Sequence, residues 1–296
     1  MTRTPTRPAQ LRGKLFRGSE QVGAGILTPG QLRSSAWRRL FPDVYACATP
    51  PVTHHRRARA VARLLLPGAV LSGRSAAVLW GVDAAERDDP VECTLSPTRR
   101  AGAVQGVHVT RRHLPDDEMV RRHGVLVTTP MRTGLDLARI QPPDEAVVHL
   151  DRFLRSGLIT LAGLRSAAAA TTGPGCRAIR RAVDRADGLA QSPQETRLRL
   201  LLHRSTLPRP LAQHVVHDAD GRFVAQIDLG WPEQRVALEY DGVWHGEAQQ
   251  VGKDRQRLNR LTAAGWTVIF VTAADLHDPV ALVARVRAAL EAPRYA

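Results

Sequence analysis

Aromatic side chains make up only 4% of the 296 residues, so the cores are expected to be built from small aliphatic side chains packed by helices. Cysteine is scarcer still: Cys47, Cys93 and Cys176 are odd in number and far apart. That pattern argues against a disulfide framework and against a cysteine-based zinc site. No apolar run approaches the roughly 18 residues needed to span a bilayer. The first ten residues, MTRTPTRPAQ, are rich in Arg, Thr and Pro and lack the apolar stretch of a signal peptide. The chain is therefore expected to be soluble and cytoplasmic, with no membrane partner. A GxxxxGK loop ending in Ser or Thr, HExxH and GxSxG are all missing, which removes three common catalytic signatures.

What is present is positive charge. Forty-two Lys and Arg stand against 28 Asp and Glu, a net charge of +14. Such an excess favours a polyanionic partner, because neutralising phosphates releases condensed counterions. A codon bias that enriches arginine everywhere gives the same count, so charge alone leaves both readings open. With 43% hydrophobic residues the chain can form two or three domains with proper cores.

Pro5 and Pro8 leave residues 1–10 as a disordered tail. Residues 11–50 read as helix, helix, hairpin, the order of a winged helix. Ser19 caps a short helix, and Thr28 caps a second that runs from Pro29 through Arg33 to Arg38 and Arg39. In that arrangement Arg33, Arg38 and Arg39 would face DNA phosphates; a small helical cap with a solvated basic face is the other reading. Residues 51–165 form a mixed α+β segment with helices at 54–66, 72–80 and 131–138, strands at 91–96 and 104–110, and no catalytic spacing. His108, His113 and His123 read as surface or strand-end residues. Residues 166–189 read as a low-complexity linker and a further helix.

The last segment, 190–296, carries the chemistry. Ser192-Pro193-Gln194-Glu195 is a capping box opening a helix. Strands at 212–216, 223–229 and 235–240 follow, then a basic amphipathic helix at 247–264, a buried strand at 267–271 and a closing helix at 279–290. Asp228 and Glu239, near the ends of adjacent strands in apolar runs, are costly there unless they do something. Asp241, two positions beyond Glu239, projects to the same side, and His245 follows. Clustered carboxylates need a cation or protons, and hard oxygen donors suit Mg²⁺ or Mn²⁺. Glu195 is equally a capping residue, Asp241-Gly242 equally a turn, and His245 equally a helix cap. Lys253, Arg255 and Arg257 on the following helix can contact a DNA backbone or form a solvated face.

Ile227-Asp228-Leu229, Val236-Ala-Leu-Glu239-Tyr240-Asp241-Gly-Val-Trp-His245, Asp254-Arg-Gln-Arg257-Leu258 and Gly265-Trp-Thr-Val-Ile269 together resemble the Vsr-like branch of the PD-(D/E)xK nucleases, over roughly residues 190–291. The resemblance implies a restriction-endonuclease-like αβββαβ fold and metal-dependent hydrolysis of DNA. Asp228 and Glu239 would hold the metal, with Glu195, Asp241 and His245 assisting. The lysine of E-x-K is replaced by Asp241, which leaves the general base between Asp241 and His245. The repair enzyme's zinc ligands have no counterpart, so mismatch recognition does not carry over. Gly25-Ile-Leu-Thr-Pro-Gly-Gln-Leu32, Arg39-Leu-Phe-Pro-Asp-Val-Tyr-Ala46 and Thr128-Thr-Pro with Leu135-Asp-Leu-Ala138 are similar to AbiEi-type antitoxins. The expected class is α/β: a nuclease-like domain behind a winged-helix-like region and a mixed middle segment. The alternative is an antitoxin-like regulator whose nuclease-fold domain does not cleave.

Overall fold

A computed structural model describes residues 7–100, 102–241 and 248–293, except for the side chains of residues 248–254. The chain is mixed α/β with several sheets, and it divides into two compact units. The first comprises residues 1–140 and 158–179; the second comprises 141–157 and 180–296. Among the described residues no helix is long and apolar enough to cross a membrane.

The first unit opens with β1 (Leu15–Arg17), α1 (Gly18–Gly23), α2 (Pro29–Leu32), β2 (Trp37–Phe41) and β3 (Val44–Cys47). These strands pair antiparallel in the order β1-β3-β2. Three of the few aromatic residues hold this region together: Phe16 meets Trp37 edge-on at 5.1 Å and stacks on Tyr45 at 6.0 Å. The Thr28 capping box forms, through Gln31. The helix it starts is nevertheless only four residues long, because tight turns from Arg33 to Gly30 and from Ser34 to Gln31 end it. Burial of Ala36 and Trp37 then pulls the chain into β2. The expected long second helix is therefore absent. Arg38 and Arg39 lie exposed on a strand, and Arg33 is exposed at the end of a single helical turn. The first helix is capped differently from expectation too: the Asp43 carboxylate accepts from the Ser19 N–H at 2.7 Å and from its hydroxyl at 2.5 Å.

The rest of this unit comprises α3 (His54–Ala60), β4 (Val70–Leu71), α4 (Gly73–Leu79), β5 (Val91–Leu95), β6 (Val107–Arg111), β7 (Met119–Arg122), β8 (Val125–Thr128) and α5 (Pro130–Leu137). After α6 (Pro143–Arg155), which belongs to the second unit, α7 (Leu161–Ala170) returns to the first. Five strands form one mixed sheet in the order β6-β5-β4-β8-β7. Its core is aliphatic: Ala58, Val61, Leu71, Leu79, Val91 and Val127 are all buried. Beyond Ala60 the helix widens over Val61–Leu65, where the Leu66 N–H reaches back five residues to the Val61 carbonyl. At the core of the unit His54 is buried, with one ring nitrogen 2.8 Å from the Ser75 hydroxyl and the other 3.2 Å from the Glu86 carbonyl.

α8 (Cys176–Arg185) begins in the first unit and ends in the second, which adds α9 (Pro193–Arg204), β9 (Leu211–His217), β10 (Phe223–Trp231), β11 (Val236–Tyr240), α10 (Ala248–Ala263), β12 (Thr267–Val271), α11 (Ala273–His277) and α12 (Pro279–Glu291). The expected order of elements is found, with one further short helix. The strands line up as β12-β11-β10-β9, with β11 and β12 parallel and the other pairs antiparallel. Leu198, Leu202, Leu229, Leu238 and Leu282 form the core on one side of the sheet; Ala237, Leu261 and Trp266 cluster separately. The apolar run of β12 predicts a buried strand; it is instead an edge strand with Phe270 exposed, since nothing pairs beyond it in this sheet. α6 joins this unit through polar contacts that a local reading of the sequence does not show. Asp151 on α6 accepts from Arg199 at 2.7 Å and from the Thr196 hydroxyl at 2.9 Å, and Glu145 pairs with Arg197.

Candidate active site

Three carboxylates from three elements converge on the sheet of the second unit. Asp228 sits in β10 and Glu239 in β11. Because Leu229 pairs with Leu238, the ladder carried one step further sets Asp228 opposite Glu239. The Asp228 carboxylate accepts from the Tyr240 backbone N–H at 2.9 Å. Glu195 comes from the first turn of α9. Ser192 caps that helix by accepting from the Glu195 N–H at 3.2 Å. The Glu195 carboxylate itself does not close the expected box on Ser192. It accepts instead from the Gln191 N–H at 2.7 Å and from the Gln213 side chain at 3.1 Å. Glu195 and Glu239 are both buried.

Burial and mutual repulsion set the electrostatics. Desolvation pushes Glu239 up to about 7; the Arg257 hydrogen bond opposes this, and the charges of Asp228 and Glu195 add to it. Desolvation likewise raises Asp228, against the Tyr240 N–H and Arg257. Glu195 is raised by burial first and by Asp228 second. Each acid feels at least one of the others, so the three form one coupled group.

Arg257, on α10, is the cation nearest this group among the described residues. It donates to Glu239 Oε1 at 2.7 Å and to the Gln226 carbonyl at 2.5 Å. Of the basic residues proposed to contact DNA, Arg257 is thus turned onto the carboxylates, whereas Arg255 is exposed. Asp241 is exposed at the end of β11, its N–H bonded to the Val271 carbonyl at 2.8 Å. A cleft of about 370 Å³ joins Glu239, Tyr240, Asp241, Arg255 and Arg257 and opens to solvent beside Phe270. His245 lies outside the described residues, as does the side chain of Lys253.

Gln213 is the residue that sequence reasoning missed. It lies opposite Asp228 on β9, between the pairs Ala212–Leu229 and His214–Ile227. Its side chain ties Gln191 to Glu195 and also lowers the pKa of Asp228. Its φ is +53°, left-handed for a non-glycine residue inside a strand, a conformation that costs about 1 kcal/mol or more and is kept where surroundings enforce it. The only hint in the sequence is an amide in a strand that also carries His214 and His217.

Among the described residues no group of three or more His, Cys, Asp or Glu side chains is placed to hold one metal ion. The donor chemistry fits a sparser arrangement. Mg²⁺ commonly keeps several waters and takes one or two carboxylates, which Asp228 and Glu239 supply from adjacent strands.

No protein-family profile matches the chain. It is 29% identical over 269 residues to an uncharacterized protein of Mycobacterium tuberculosis, Rv2248 in strain H37Rv and MT2308 in strain CDC 1551, covering 90% of this chain and 97% of that protein. Among solved structures, the crystal structure of the RV2827C protein from M. tuberculosis resembles it with a TM-score of 0.39 and 18% identity, over 71% of this chain and 85% of that one.

Proposed function

We propose that the second unit is a restriction-endonuclease-like domain and that the chain is a Mg²⁺- or Mn²⁺-dependent DNA endonuclease of the cytoplasm. The observation that carries this reading is the coupled Glu195–Asp228–Glu239 group, whose Glu239 lines a solvent-open cleft together with Asp241, Arg255 and Arg257. Coupled acids raised by burial and by one another, one of them lining a cleft, mark a candidate catalytic centre. Asp228 and Glu239 would hold the ion, which when bound polarises the scissile phosphate and lowers the pKa of water. Glu195, oriented by Gln191 and Gln213, holds its carboxylate toward Asp228. Asp241, or His245 beyond it, accepts the proton of the attacking water. Arg255 and Arg257 line the cleft and would contact the DNA backbone, joined by Lys253 of the same helix. In the first unit, Arg33, Arg38 and Arg39 would add phosphate contacts from the winged-helix-like region.

One observation favours a second reading. Arg257 already neutralises Glu239, as it would in a nuclease fold kept for binding alone, in an antitoxin-like regulator. Supercoiled plasmid incubated with Mg²⁺ or Mn²⁺ separates the two. The nuclease reading requires metal-dependent nicking that falls at least about 100-fold in Asp228→Ala, since loss of residues that only support a metal ligand already costs about 10–100-fold. No cleavage, together with DNA binding that Asp228→Ala and chelator leave unchanged, would replace it with the regulator.

A further inference from the structure

α3 spends its arginines unevenly. Arg56 donates to the Pro50 carbonyl at 2.7 Å and Arg57 to the Arg87 carbonyl at 2.6 Å, so both are absorbed by the fold. Arg59 and, one turn later, Arg63 have no ion-pair partner among the described residues; Arg63 is exposed, and the Arg59 Nε is buried without a hydrogen-bond partner. The turn between β7 and β8 meets the same face of α3, with the His55 and His123 rings 5.4 Å apart. The strand leading into that turn ends in Arg121 and Arg122. Arg121 turns with Leu126 to the other face of the sheet, while Arg122 turns with Val125 to the side that α3 covers. Arg122 is fixed without any carboxylate: its guanidinium lies 4.5 Å over the Trp80 ring and donates to the Leu79 carbonyl at 2.6 Å. His55 is depressed by burial first and then by Arg59, His123 and Arg122, and no acid stands among the groups acting on it.

Three arginines, Arg59, Arg63 and Arg122, and two histidines thus gather on the α3 side of the first unit without countercharge among the described residues. Uncompensated like charge in one place costs free energy unless a polyanion supplies the missing sign. Positive charge of this kind contacts phosphates whatever the base sequence, so the surface suits a nucleic-acid backbone better than base edges. We propose that the face formed by Arg59, Arg63 and Arg122 is a docking surface for the backbone of duplex DNA. This surface stands independently of any cleavage in the second unit, and it differs from the Arg33, Arg38 and Arg39 segment.

The test uses the full-length protein and a fluorescein-labelled 20-base-pair DNA duplex, with binding followed by anisotropy between 50 and 200 mM salt. Arg59→Ala/Arg63→Ala/Arg122→Ala is expected to bind at least about 10-fold more weakly, with a salt slope shallower by about 3, one for each phosphate no longer neutralised. Arg59→Lys/Arg63→Lys/Arg122→Lys keeps the charge and is expected to recover the slope, which separates missing charge from misfolding. Arg165→Ala/Arg177→Ala/Arg181→Ala, equal in net charge, is expected to stay within about two-fold of wild type. The proposal is overturned if wild type does not bind the duplex. It is overturned equally if the first variant binds DNA as wild type does, including the case where only binding to a duplex RNA of the same sequence is weakened, or if the equal-charge control weakens as much.

Discussion

Two buried acidic clusters occupy the second unit, and they are wired differently. Asp151 receives the Asp187 and Gly188 N–H groups at 2.9 Å each, the Thr196 hydroxyl at 2.9 Å and Arg199 at 2.7 Å. Arg199 reaches Asp187 at 3.0 Å and donates to the Arg185 carbonyl at 2.9 Å. There a guanidinium and several donors serve two carboxylates, and the result ties α6 to α9. At the sheet, Arg257 serves Glu239 while Asp228 and Glu195 rely on backbone N–H groups and the Gln213 amide. Both clusters are out of water, so the difference lies in compensation rather than in burial. A compensated cluster holds elements together; an under-compensated one is poised to take up protons or a cation.

The largest effect should come from breaking the compensated cluster. Arg199→Leu leaves Asp151 buried without its cation and is expected to cost about 3–5 kcal/mol of stability in urea unfolding. A loss below about 1 kcal/mol would mean that the backbone and Thr196 donors suffice, and the contrast between the clusters would weaken.

A smaller effect, of opposite sign, is expected at the sheet. Glu239 is raised in the folded protein from 4.5 to about 7, so its contribution to stability is fully present below pH 4.5 and is lost as pH rises to about 7. Glu239→Gln removes that loss. In chelator, the variant should gain about 2–3 kcal/mol on wild type between pH 4.5 and 7. Urea midpoints that run parallel with pH in the two proteins would show that Glu239 is already compensated.

The two clusters are not equally legible in the sequence. Asp228 and Glu239 stand out because each interrupts an apolar strand, and antiparallel pairing then sets them opposite each other. α9, α10 and the strands between them follow from caps and alternation, which are local. Glu195 is legible as a capping residue, yet its carboxylate turns to Gln191 and Gln213, a choice fixed by packing against β9. The left-handed Gln213, Arg257 turned onto Glu239, and the Asp151–Arg199 pair depend on residues 18 to 48 positions apart, which no local pattern encodes. The same limit explains α2. Its capping box is genuine, but the pull of Trp37 into the Phe16 cluster ends the helix after one turn. The expected recognition helix gives way to Arg38 and Arg39 on a strand.

Binding of a divalent ion tests the under-compensated cluster most directly, without requiring a substrate. Mn²⁺ titrated calorimetrically into the full-length protein at pH 7.5 should bind at one saturable site, and both Asp228→Ala and Glu239→Gln should abolish that binding. Mn²⁺ heats indistinguishable among wild type and the two variants would contradict the account and leave these carboxylates without a cation to explain them.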